Sequence, residues 1–247
     1  LARAREIHES LFPPPYDDGF VRFDYTFEPT REMGGDYIHL HVGPSGLVHA
    51  VVLDVTGHGL DAALTVNRMY GELERIRAET PDAPPGDVLT LLNRYVYGTM
   101  ARHELYATAA CLTVDPYDGE ILWASGGHPP AVLRGERTGV HELGSTAPML
   151  GVFGDDRFEP NEMSIAMSEG DLLLLYTDGV VETRDRSGRQ FGKAELSSVL
   201  RIQPPPSRWT SFIAARVAKH RDGRSEDDIL IASFELVARR AEATASD

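Results

Sequence analysis

The chain has 247 residues, 42% of them hydrophobic, which suits one compact enzyme domain and leaves room for two small ones at most. A formal net charge of −14 excludes the broadly basic face that nucleic acid or an anionic membrane requires, although bound divalent cations would still admit a phosphorylated substrate. The single cysteine, Cys111, excludes an intrachain disulfide and a Cys-rich zinc site and fits a cytoplasmic protein, and no apolar run reaches the ~18 residues of a membrane span.

The chain opens on Leu1 rather than Met, and Leu1, Ala4, Ile7, His8 and Leu11 recur at helical spacing. Residues 1–12 are therefore expected to be a linker helix belonging to a longer chain with an upstream sensor; a helix packed on its own domain is the alternative. Pro13, Pro14 and Pro15 stop it. Val21, Phe23, Tyr25 and Phe27 then alternate with polar residues, which predicts a half-buried strand. Further strands are expected after Gly35 through residue 42 and over 47–55, the three together forming an antiparallel meander. Apolar spacing predicts helices over 60–78 and 87–103, separated by Pro81, Pro84 and Pro85 and packed on a sheet face.

Strands resume at 107–114 and 120–124, a hairpin around Asp115-Pro116-Tyr117-Asp118-Gly119, with Cys111 as a buried strand residue. Others are expected at 131–134, 158–166, 171–177 and 228–234, and short helices at 193–202 and 207–220. Strands in runs with paired helices between them give the fold class as α+β, two mainly antiparallel sheets with helices outside them. No repeat or low-complexity linker divides residues 13–240, and 241–247 read as a tail.

Four acidic motifs carry the chemistry: Gly34-Gly35-Asp36-Tyr37, Asp54-Val55-Thr56-Gly57-His58-Gly59, Thr177-Asp178-Gly179 and Glu226-Asp227-Asp228. Asp54 and Asp178 leave buried apolar runs, where a carboxylate is costly unless paired or metal-bound. Taken singly, Asp36 reads equally as a turn residue, and Thr56 or Asp61 as a helix cap. Together, carboxylates converging from four strand ends suit hard divalent cations, which prefer oxygen ligands.

With Gly127-His128-Pro129-Pro130 these motifs occur in the order found in bacterial PPM-type serine/threonine phosphatases, and the chain resembles their sporulation stage II protein E branch from about residue 13 to 237. The resemblance implies a four-layer αββα sandwich and two Mn²⁺ or Mg²⁺ ions. It implies Asp36, Asp54 and the Val55 backbone carbonyl as ligands, with Asp178 and Asp227 completing the shell. It makes Asp228 the ligand's neighbour. These aspartates would act through a metal-bridging water, His58 would donate a proton to the leaving oxygen, and Arg31 would contact substrate phosphate. His128 reads as a structural turn near the site. Met33 and His39 depart from the family pattern without removing a ligand, and no segment resembles the eukaryotic flap. The implied substrate is phosphoserine or phosphothreonine on an anti-sigma-factor antagonist, with a homodimer as one arrangement. A non-catalytic scaffold module and a small-molecule two-metal phosphatase are the alternatives.

Overall fold

The computed structural model describes residues 2–135, 139–203, 205–223 and 225–240; Leu1 and the expected tail 241–247 lie outside the described residues. In chain order the elements are α1 (Ala2–Glu9), β1 (Tyr16–Asp17), β2 (Val21–Glu28), β3 (Asp36–Val42), β4 (Val48–Val55), α2 (Leu60–Glu79), α3 (Pro85–Thr99), β5 (Ala107–Asp115) and β6 (Glu120–Gly126). They continue with β7 (Ala131–Gly135), β8 (Gly139–Leu143), β9 (Met163–Ala166), β10 (Leu172–Tyr176), α4 (Asp178–Glu182), α5 (Gly192–Leu200), α6 (Trp209–His220) and β11 (Ile229–Leu236).

Two sheets hold these strands, one in the order β1-β2-β11-β10-β7-β8 and one in the order β3-β4-β5-β6-β9. Every strand pair in both is antiparallel. The expected three-strand meander does not form. β2 pairs with β11 across almost the whole chain, Phe23 opposite Phe234, while β3 pairs with β4 in the other sheet. Residues 29–35 carry the chain from one sheet to the other, a crossover that a local strand pattern does not encode.

Three apolar layers separate four layers of structure, and the two-residue period of the strands creates them. Val48, Ala50 and Val52 of β4 face the middle of the sandwich, where they meet Leu230, Ala232 and Phe234 of β11. Val51, Leu53 and Val55 face the other way, under Val66, Met69 and Leu73 of α2 and Leu89 and Leu92 of α3. On the opposite sheet Leu172, Leu174 and Tyr176 of β10 face Leu196 of α5 and Ile213 of α6. A strand buried on both faces explains why β10 reads Leu-Leu-Leu-Leu-Tyr without polar alternation. Cys111 is buried in the helix-covered layer.

α1 docks through His8 and through Phe12 beyond its end, whose ring lies 4.8 Å from Phe27 and 5.3 Å from Tyr37, centroid to centroid. The Tyr37 hydroxyl donates to the Leu11 carbonyl at 3.0 Å. Ile7, expected on the inner face, is instead 50% exposed, because the contact runs through His8, Leu11 and Phe12. Leu64 of α2 also points outward, although the apolar spacing of that helix includes it.

One polar pocket interrupts the helix-covered layer. His49 Nδ1 lies 2.9 Å from Thr113 Oγ1 and its Nε2 3.3 Å from Asp82 Oδ1. Burial, reinforced by the Arg77 charge, lowers the His49 pKa to about 4. A histidine that stays neutral when folded contributes stability above its unfolded value near 6.5, and that contribution is lost as pH falls from there toward 4. Wild type is expected to lose about 2 kcal/mol more than His49→Gln between pH 7 and pH 5, by urea denaturation. Equal losses in the two proteins would refute the assignment.

Candidate active site

The site lies at one end of the sandwich, where β4 and β10 end and β3 and β11 begin. Asp36 and Asp54 stand directly opposite one another in the β3–β4 register. Both project into the layer between the sheets, as Ile38 and Val52 do one step further along the same strands. Like charges facing across a ladder repel. Asp36 is 3% exposed, and burial first, then the Asp54 charge, raises its carboxyl well above the usual range. Asp54 is raised to about 7 by burial, with Asp178, Asp227 and Asp228 adding to it.

The other sheet supplies Asp178, the first residue of α4, and Asp227, in the loop before β11. Burial is the leading cause of a raised carboxyl at each; Glu182 adds to it at Asp178, while the His58 charge opposes it at Asp227. Asp227 Oδ1 accepts the backbone N–H of Asp228 at 2.8 Å. Among the described residues no ion pair reaches Asp36, Asp54, Asp178 or Asp227. Asp36, Asp54 and Asp178, buried or half-buried, and the more exposed Asp227 thus come together with no ion-paired cation among the described residues.

Backbone features hold these groups in place. Gly57 (φ 102°) and Gly59 (φ 73°) take the left-handed conformations that turn the chain from β4 into α2. Thr56 does not cap that helix; its hydroxyl and the Tyr106 backbone exchange hydrogen bonds of 3.2 and 3.0 Å. A side chain on Gly35 would come within 2.9 Å of the Val55 carbonyl oxygen, so only glycine lets β3 start against that group. Asp228 is buried and accepts the N–H groups of Thr30 and Gly35, both at 2.7 Å. It therefore ties the crossover loop to β11.

Thr177 has the role that sequence reasoning missed. Fully buried, its hydroxyl donates to Asp36 Oδ2 at 2.6 Å and accepts the Leu230 N–H at 3.0 Å, joining the two sheets beneath the carboxylates. Its position before Asp178-Gly179 was visible, but the partner lies 141 residues away. His58 is exposed in the loop before α2. Arg31 is also exposed and lies over Gly59, its Cδ 3.7 Å from where a Gly59 Cβ would stand. His128 is buried, its Nδ1 2.8 Å from Thr108 Oγ1, and burial lowers its pKa to about 3, so it stays neutral.

The donor set fits a divalent metal on chemistry, since it offers carboxylate and carbonyl oxygen only and, among the described residues, none of its carboxylates is ion-paired. Among the described residues no three His, Cys, Asp or Glu side chains are grouped tightly enough to enclose an ion by themselves. The carboxylates stand further apart than that around the mouth formed where these strand ends meet, which suits a cation such as magnesium that keeps several waters.

Residues 44–236 match the family described as Stage II sporulation protein E (SpoIIE), a span that takes in Asp54, His58, Asp178 and Asp227. Phosphoserine phosphatase RsbP of Bacillus subtilis (strain 168) is 30% identical over 187 residues, 74% of this chain and 45% of RsbP. Phosphoserine phosphatase RsbU of the same organism is 26% identical over 161 residues, 65% of this chain and 46% of RsbU. The chain thus spans less than half the length of either relative. The SiaA-PP2C domain of Pseudomonas aeruginosa has the same fold, with a TM-score of 0.80 at 18% identity and 94% coverage of both chains. Among the described residues no helix is long and apolar enough to cross a membrane. With a two-sheet, helix-flanked sandwich and a family match over most of its length, this chain belongs to the Stage II sporulation protein E family.

Proposed function

We propose that this domain is a metal-dependent protein serine/threonine phosphatase, acting on phosphoserine or phosphothreonine of a regulatory protein such as an anti-sigma-factor antagonist. The observation that carries the reading is the convergence of four carboxylates, Asp36 directly opposite Asp54 and both close enough to Asp227 for their charges to interact, none of them ion-paired among the described residues. Relatives named phosphoserine phosphatases support it.

Asp36, Asp54, Asp178 and Asp227, with the Val55 backbone carbonyl, would hold two Mn²⁺ or Mg²⁺ ions. When bound, such ions lower the pKa of a water and neutralise phosphoryl oxygens. Thr177 fixes the Asp36 carboxylate through its Oδ2 and leaves the other oxygen to a cation in this reading. Asp228 fixes the Arg31 to Gly35 loop and stays out of the ligand set. His58, close enough to Asp227 for their charges to interact, would give a proton to the departing serine oxygen. Arg31, on the rim beside Gly59, would orient the phosphoryl group. The domain spans residues 13–240 in this reading, and α1 links it to an upstream sensor in the cytoplasm, with or without a homodimer.

Manganese-dependent hydrolysis of para-nitrophenyl phosphate tests this directly. Asp54→Ala and Asp178→Ala are each expected to lower kcat/KM at least ~10²-fold, the scale of removing a group that stabilises charge in the transition state. A wild-type protein inactive across metals and pH sinks the reading and leaves a scaffold module. A faster rate on free nucleotides than on a phosphoserine protein favours a small-molecule phosphatase.

A further inference from the structure

Residues 184–222 invert the charge of the chain, holding nine Lys and Arg against three Asp and Glu, where the remainder holds 15 against 35. The fold brings several of these cations to one side of the mouth. A cavity of about 260 Å³ runs from Gly179 and Asp227 to Arg184 and Arg221. Through the shared Arg221 and Asp222 it continues into a hollow of about 480 Å³ walled by Arg186, Lys219 and His220.

The carboxylates at the far end are already engaged. Asp222 accepts from Arg186 Nε at 2.9 Å, and Asp185 accepts from Ser187 and Arg189. Arg221 pairs with Glu28 at 2.6 Å. Arg184 donates to the Gly188 carbonyl, and neither it nor Lys219 has a carboxylate partner among the described residues. Arg186 keeps its side chain 87% exposed despite its pair. The groove is thus acidic where it opens on Asp227, beside Glu182 and Glu226, and basic where it ends.

We propose that this groove seats an acidic stretch of the polypeptide flanking the phosphorylated residue, its carboxylates meeting Arg184, Arg186 and Lys219 while the phosphoryl group occupies the aspartate mouth. This rests on the phosphatase reading. A polypeptide fits the graded lining better than a nucleic acid does. Its backbone N–H groups can face Glu182 and Glu226 and its acidic side chains the cations, whereas a run of phosphates would repel the acidic end.

The test compares two synthetic phosphoserine peptides, one flanked by Glu and Asp and one with Gln and Asn in their places. Wild type is expected to prefer the acidic peptide at least ~10-fold in kcat/KM at low salt, a preference that shrinks as the Debye length falls below ~10 Å above 0.1 M. In Arg186→Glu/Lys219→Glu, both exposed positions, the ratio falls to one or below; Arg184→Gln reduces it in part. Equal rates on the two peptides, or a ratio that survives the double substitution, overturns the groove and leaves the phosphatase reading intact. Anisotropy with the labelled peptides reads the groove without turnover. Salt-sensitive preference for the acidic peptide, weakened in the double variant, supports the groove even if both peptides go unhydrolysed, an outcome that sinks the phosphatase reading alone. Tighter binding of a single-stranded RNA of equal charge overturns the polypeptide assignment.

Discussion

Asp36→Asn melts at a higher temperature than wild type in EDTA at pH 8, and the order of the two proteins reverses when Mn²⁺ is added. Asp36 is buried, faces Asp54 across the ladder, and its one strong hydrogen bond comes from Thr177. Asparagine keeps an oxygen for that hydroxyl and removes a buried like charge. The sign follows from linkage: a carboxyl that ionises less readily in the folded chain makes the fold less stable as pH rises from the unfolded value toward the folded one. The gap is therefore small near pH 4 and full at pH 8. An expected gain of about 1–3 kcal/mol corresponds to a rise of roughly 2–12 °C at this chain length. Asp54→Asn behaves alike, since its carboxyl is raised to about 7. Added Mn²⁺ stabilises wild type through binding to the folded state only. Both variants, short of one carboxylate, gain less and lose turnover. Thermal denaturation in EDTA and in Mn²⁺ decides the matter; variants less stable than wild type in EDTA at pH 8 would mean that the carboxylates are satisfied without metal.

The cost of burying an unpaired carboxylate is also what makes these positions readable in the sequence. Asp54 and Asp178 stood out because each closes an apolar run that is buried on both faces, β4 and β10, and a carboxylate there has no structural reason to exist. The residues alone did not order Asp227 and Asp228, though the resemblance put Asp227 first; in the structure Asp228 accepts two backbone N–H groups of the crossover, while Asp227 lines the cavity at the mouth. Elements whose identity is local were legible, as in the helical spacing of α2 and α3. Those that depend on distant partners were not. β2 found β11 rather than β3, and nothing within 20 residues could have said so. β8, with the polar sequence Gly-Val-His-Glu-Leu, is an edge strand defined by its pairing with β7. The strand expected over 158–166 begins only at Met163 because Pro160 has no N–H to donate to a ladder. α4 is five residues long, too short for any period to show.

Gly179→Ala is expected to damage the site from behind, through backbone rather than through charge. A Cβ at residue 179 would stand 2.0 Å from the Asp228 carbonyl oxygen and 3.4 Å from Asp227 Cβ. Neither can yield cheaply. The Asp228 carboxylate is tied to Thr30 and Gly35, and the Thr177 hydroxyl beside it binds Leu230, so β11 cannot retreat without releasing both ties. The first turn of α4 must move instead, and it carries Asp178. Overpacking of this kind destabilises by about 1–3 kcal/mol. Displacement of a catalytic group by about 1 Å lowers turnover on the order of 10²-fold. Gly71→Ala in α2 is the control, for it has nothing within 4 Å of the added methyl and lies on an exposed helix face. There, alanine stabilises by up to about 1 kcal/mol. Comparing melting temperature, Mn²⁺ titration midpoint and kcat for the two variants separates geometry from general fragility. Gly179→Ala should raise the Mn²⁺ midpoint as well as lower the melting temperature, because the helix start that it displaces carries Asp178, one of the carboxylates proposed to hold the cations. Should it melt lower yet keep the wild-type Mn²⁺ midpoint and turnover, Asp178 does not contribute to the metal site through its position at the head of α4.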